Sequence, residues 1–206
     1  MDKPDWRGPL AEAFARASAY LESLPERPVR GAAGLAELRT ALDGPLPETP
    51  TDPREVVAAL ADAAEPGVLA VSSGRFFGFV IGGATPAALA ADWLTSTWDQ
   101  NAGLYACGPP AAVVEEVAAR WLTELLRLPP QTSVGFVTGA QMANATGLAA
   151  ARHEVLRRHG WDVEADGLCG APRIQVLAGA DRHSTIDRAL RLLGIGTSAI
   201  VPIDTD

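Results

Sequence analysis

Leu10, Phe14, Ala17, Leu21 and Leu24 recur at three- and four-residue spacing, so roughly residues 5–24 predict an amphipathic helix. Pro25 and Pro28 end it, because proline lacks the backbone N–H that a helix interior needs. A Pro/Gly-rich connector from Asp43 to Pro53 leads to a second helix over about 54–64. Residues 68–85 show no period but gather Phe76, Phe77 and Phe79 among glycines, and they read as an irregular loop that packs aromatic rings. Pro86 suits a first helical turn, so a helix follows to about Trp98. Residues 99–105 read as extended or looped. Val114, Val117, Trp121, Leu122 and Leu125 then share one face of a long helix over 110–126.

The last third has a different rhythm. Residues 133–138 (SVGFVT), 173–178 (RIQVLA) and 199–201 (AIV) predict short strands, separated by helices over 140–159 and 184–193. Strands alternating with helices imply right-handed βαβ crossovers and a parallel sheet, hence an α/β fold. Residues 1–65 read as an N-terminal helical arm and linker, and 66–206 as the first part of a larger domain. The chain stops just after a strand, which implies an exposed sheet edge.

Composition narrows the function. Hydrophobic residues make up 48% of the chain, enough for a real core, yet no run is long enough to span a bilayer. No signal pattern follows Met1, and Cys107 and Cys169 fit no metal or redox spacing, so a cytoplasmic protein is expected. A net charge of −8 without a basic cluster argues against nucleic acid as a partner, since phosphate backbones are held by Lys and Arg. Of the 17 basic residues only one is lysine, Lys3.

In open parallel sheets ligands sit outside the carboxyl ends of strands, so the two strand-to-helix junctions carry the candidate chemistry. At the first, Gly139 permits a tight turn, and the N–H groups of Ala140, Gln141 and Met142 open a helix that can receive an anion. A plain helix cap with glycine as spacer is the competing reading. Walker A is excluded because no lysine supplies it, and Gly194-Ile195-Gly196 follows a helix and reads as its C-cap. At the second junction, Ser184 and Asp187 have the spacing of a capping box, and His183 stands just before it, directed at the crevice. A satisfied structural histidine is the alternative for His183. His153 and His159 lie on an Arg-rich surface, and Cys107 has no histidine near it to make it a nucleophile. Phe76, Phe77, Trp98 and Tyr105 suit either an apolar substrate pocket or a core.

Taken together, Phe76-Phe77-Gly78 with 90–94 (AADWL), 110–128 (PAAVVEEVAARWLTELLRL), 138–152 (TGAQMANATGLAAAR) and 183–193 (HSTIDRALRLL) resemble the group II pyridoxal phosphate-dependent decarboxylases, relatives of aromatic-amino-acid and glutamate decarboxylases. The resemblance implies the aspartate-aminotransferase type of large domain (pyridoxal phosphate fold type I), here incomplete. It further implies that Gly139, Ala140 and Gln141 hold the phosphate of pyridoxal 5'-phosphate and that His183 stacks on the ring as the catalytic histidine. Tyr105 would lie near an amino-acid substrate, and the N-terminal helices would clasp a second subunit in a homodimer. Decarboxylation is the implied step, with aminotransferase-like chemistry as a variant. The chain departs from the pattern in two places. The aspartate that meets the ring nitrogen and the lysine that bonds to the cofactor have no counterpart here, and Asp181 and Asp204 do not match that aspartate. The expectation is the N-terminal part of a carboxy-lyase, a fragment or truncated product inactive alone. The alternative is a non-catalytic α/β protein that binds a phosphorylated ligand or a partner.

Overall fold

Capping chemistry sets the helix boundaries in the computed structural model, which describes residues 4–204. Lys3 therefore lies outside the described residues. The chain divides into two units, Met1–Asp99 and Gln100–Asp206.

The first unit holds α1 (Arg7–Ser23), α2 (Leu35–Leu42), α3 (Pro53–Ala64) and α4 (Pro86–Trp98), with no strand among its described residues. Asp52 accepts from the Arg54 N–H at 2.8 Å, and Pro53 occupies the first turn, where its missing N–H costs nothing. Thr85 and Pro86 repeat the device at the start of α4. Pattern reading passed over α2. Its start is marked by the Glu37 carboxylate, which accepts from the Gly34 N–H at 2.7 Å and satisfies a donor that a short helix would otherwise waste.

Helix α3 packs against both α1 and α2. Glu12 on α1 receives Arg16 at 3.0 Å and Arg54 of α3 at 3.3 Å. Arg27 bonds Glu65 at 2.9 Å and lies 4.9 Å over the Tyr20 ring. Ion pairs this close to solvent orient the helices more than they hold them. Phe14 and Trp93 meet edge-to-face at 6.2 Å, which joins α1 to α4. Residues 68–85 form the irregular loop that was expected, with Phe76 half-buried, but two of its rings do not pack: Phe77 is 92% and Phe79 88% exposed. Phe79 and Val80 both take left-handed backbone (φ 57° and 51°), and the turn they make carries both side chains outward.

The second unit holds α5 (Pro109–Leu125), α6 (Ala140–Arg158), α7 (Val163–Asp166), β1 (Val176–Gly179), α8 (Ser184–Leu192) and β2 (Ile200–Ile203). Strands β1 and β2 run parallel, with Val176 opposite Ile200 and Gly179 opposite Ile203, and α8 is the crossover between them. The parallel βαβ unit is thus present. Residues 133–138 pair with no strand among the described residues, contrary to expectation, and Phe136 and Val137 stay 47% and 40% exposed. A strand exists only through its ladder, and apolar alternation alone does not provide a partner. Helix α8 lies against α6, and Ala145, Leu156, Ala189 and Leu190 are buried. This is where the core sits. Among the described residues no helix is long and apolar enough to cross a membrane.

The last turns of α6 yield one prediction. Glu154 accepts from Arg157 and Arg158, each at 2.7 Å, and these hydrogen bonds hold its carboxyl down at about 2. The carboxyl pKa is depressed in the folded state, so the stabilisation is complete above the ordinary carboxylate range and lost as pH falls toward 2. Carboxyl-carbon NMR should find the Glu154 midpoint well below that of an exposed glutamate. High salt should move the midpoint upward, because the cluster is open to solvent.

Candidate functional site

The turn leaving β1 is held by its own arginine. Arg182 donates to Asp187 Oδ1 at 2.9 Å and reaches back to the Gly179 carbonyl at 3.5 Å. Asp187 is therefore engaged one turn into α8 and does not reach back to the cap. The expected Ser184–Asp187 capping box is absent for that reason. His183 is the cap, its Nδ1 accepting the Thr185 N–H at 3.3 Å. His183 does start the helix at the carboxyl end of β1, where it was placed from sequence, and it is exposed.

Gly139 precedes α6 with φ 157° and ψ 177°, a region essentially reserved for glycine. Among the described residues, apart from its chain neighbours, no atom lies within 4 Å of the position a Cβ would take there, so the requirement is conformational and the space beside it is open. The Ala143 N–H bonds the Gly139 carbonyl at 3.0 Å and closes the first turn. The N–H groups of Ala140, Gln141 and Met142 come before that bond, and no acceptor meets them among the described residues. Together with the positive end of the α6 dipole they form a place for a negative charge, worth about 0.3–1 kcal/mol from the dipole and more when partly buried.

The two junctions are joined. Gln141 Nε2 donates to the Thr185 carbonyl at 3.2 Å, and Asn144 Nδ2 donates to Thr185 Oγ1 at 2.8 Å. Thr185 Oγ1 lies 3.0 Å from His183 Nδ1. Gly139, Ala140, Gln141 and His183, named from sequence, thus fall into one connected group. The buried Gln141 Oε1 has no partner among the described residues. Thr185, only 9% exposed, is the hub, and sequence reading missed it along with Asn144. Both lie within the quoted motifs, but their roles depend on contacts 41 residues apart.

Within the second unit, no hydrogen bond among the described residues ties Tyr105, His153 or His159 to this group. Tyr105 sits in a single 3-10 turn with Cys107 and is 65% exposed. His153 and His159 are exposed as expected, His153 lying 3.7 Å from Glu164 and His159 bonding the Val155 carbonyl. No group of three potential metal ligands occurs among the described residues.

Comparison with known proteins gives these findings. The profile of the pyridoxal-dependent decarboxylase conserved domain matches residues 36–206. An aromatic-L-amino-acid decarboxylase of Bacillus atrophaeus is 28% identical over 187 residues, covering 91% of this chain and 37% of the relative. Tryptophan decarboxylase 1 of Oryza sativa subsp. japonica is 30% identical over 217 residues, covering 100% of this chain and 41% of the relative. Among solved structures, Oryza sativa TDC with PLP and tryptamine superposes with a TM-score of 0.85 at 27% identity, covering all of this chain and 43% of that one. Mouse CSAD superposes at 0.84 with 20% identity, a likeness of fold, over 96% of this chain and 41% of that one. The chain spans about two-fifths of the length of these proteins. The fold is a partial aspartate-aminotransferase-type α/β domain.

Proposed function

The chain belongs to the pyridoxal-dependent decarboxylase family, and from that membership we propose that α6 and α8 carry the phosphate-anchoring and ring-facing half of the cofactor site of an amino-acid decarboxylase. One observation carries the reading: the unpaired N–H turn of Ala140, Gln141 and Met142 is tied by Gln141 and Asn144 to the residue that holds His183. The residues fit pyridoxal 5'-phosphate. Backbone donors suit a phosphate, Gly139 leaves open space beside them, and an exposed imidazole one short network away suits a flat ring. When bound, the cofactor supplies an electron sink for the bond broken in decarboxylation.

Each residue has its task. Gly139 lets the chain enter α6 so that the first N–H groups face outward. Ala140, Gln141 and Met142 donate to the phosphate, and His183 orients the ring from one face. Tyr105 belongs to the substrate side, and the substrate is an amino acid. Three of the five residues of the first apolar stripe support the arm reading of residues 1–65, since Leu10, Phe14 and Leu21 are exposed. That stripe would be covered in a homodimer in the cytoplasm, with 66–206 as the cofactor-binding part. Residues 4–206 contain no lysine, so this chain by itself would bind the cofactor without bonding to it and would be inactive alone.

The test is Ala140→Pro. Proline is tolerated in the first helical turn and deletes one N–H while leaving α6 intact. A hydrogen bond to a charged group is worth about 1.5–3 kcal/mol, so the affinity for pyridoxal 5'-phosphate should fall at least about tenfold. Binding of pyridoxal, which lacks the phosphate, should not change. Absorbance titration reads both, and equal affinities in wild type and variant would overturn the phosphate assignment.

A further inference from the structure

The hydrogen bonds around Thr185 have a direction that can be worked out. A backbone N–H has only one polarity, and that of Thr185 meets Nδ1 of His183 at 3.3 Å. Nδ1 must therefore present its lone pair and carry no hydrogen. Thr185 Oγ1 lies 3.0 Å from the same nitrogen, so the single proton of that contact belongs to the hydroxyl. With its hydrogen committed, Oγ1 has only lone pairs left for Asn144, whose Nδ2 stands 2.8 Å away. Gln141 Nε2 holds the carbonyl of the same residue at 3.2 Å. Water competes little, because Thr185 is 9% exposed.

We infer that Thr185 and Asn144 are positioning residues for His183: they hold its ring with the hydrogen on Nε2 and lock its orientation to the first turn of α6. The bearing of this on catalysis rests on the cofactor reading above, while the inference itself concerns the protein alone. The side chain that would face the ring and the backbone that would hold the phosphate then move as one piece. A ring turned over, or carrying its hydrogen on the other nitrogen, would break bonds reaching back to α6.

Imidazole nitrogen NMR on the complete chain tests this without cofactor, at about pH 8, above the ordinary histidine range. His183→Gln assigns the His183 signals among the three histidines. Wild type should show the Nε2–H form in large excess over the Nδ1–H form. Thr185→Val keeps the branched shape but loses the hydroxyl, and the Nδ1–H share should rise about fivefold, the equivalent of one neutral hydrogen bond. Asn144→Asp keeps the shape of Asn144, but its carboxylate only accepts. It should draw the Thr185 proton to itself and reproduce the valine result although the hydroxyl is still there. Thr185→Ser should restore the wild-type spectrum. Unchanged His183 signals in folded Asn144→Asp overturn the inference, as does failure of serine to restore them. These two variants decide the matter even if the valine variant does not fold. Titration of the wild-type chain with pyridoxal 5'-phosphate separates the two questions: no binding overturns the cofactor reading, and the ring spectra still decide this one.

Discussion

Leu190→Ala is expected to lower the unfolding free energy by about 2–5 kcal/mol, the range for removing a fully buried leucine and leaving a cavity behind. Leu190 has no exposed surface, and among the described residues it is, with Leu156, one of the two largest fully buried side chains. Few other residues share that load. Among the described residues the buried apolar set is otherwise Ala70, Ala145, Val163 and Ala189, so the second unit depends on the seam between α6 and α8. A domain of ordinary stability has about 5–15 kcal/mol in total, so this one change removes a large share of it. Leu192, two residues on, is 68% exposed, and alanine there should cost under about 0.5 kcal/mol. Urea unfolding of both variants provides the comparison. Equal midpoints would mean that α8 does not pack as described. Because His183 and Thr185 open the same helix, the His183 ring signals should broaden in Leu190→Ala well before global unfolding.

How much of this could be read from the chain depended on whether a feature is local. Helices α1, α3, α4, α5, α6 and α8 were legible because period, proline and cap residues all lie within a few positions of each other. The short α2 was not, since Leu35–Leu42 sits in a stretch dominated by Pro and Gly and its signal is one carboxylate, Glu37. Strands β1 and β2 were found, but β1 runs from Val176 to Gly179 and not from residue 173, because pairing with Ile200–Ile203 sets its length. The same dependence removed the strand expected at 133–138. At the site, Gly139 and His183 announce themselves by residue type at a junction. Thr185 and Asn144 are ordinary residues on two helices, and only the packing of α6 on α8 makes them neighbours. The cap was misassigned for a related reason. Ser184 is the better intrinsic cap, but Arg182 takes Asp187 away from it, and His183 is left to accept the Thr185 N–H.

The largest expected effect concerns lysine. Incubated with pyridoxal 5'-phosphate and an aromatic amino acid, the 206-residue chain should release carbon dioxide at no more than the rate of free cofactor. Covalent attachment needs an amine that is both nucleophilic and held against the reacting carbon. Lys3 is the only side-chain amine in the sequence, and a delocalised guanidinium does not replace an amine as nucleophile. On the proposed reading the α6 turn and His183 would supply binding and orientation, which act on ground state and transition state alike and so would not by themselves raise the rate. Borohydride treatment followed by mass spectrometry should accordingly find no stoichiometric adduct at a defined residue. Lys3→Arg should behave as wild type in cofactor affinity and in carbon dioxide release. A single reduced adduct at Lys3, lost in Lys3→Arg together with activity above the free-cofactor rate, would show that the site is completed within this chain. The opposite result leaves the family assignment untouched, because membership rests on the match over residues 36–206, whereas turnover requires an amine that α6 and α8 do not contain.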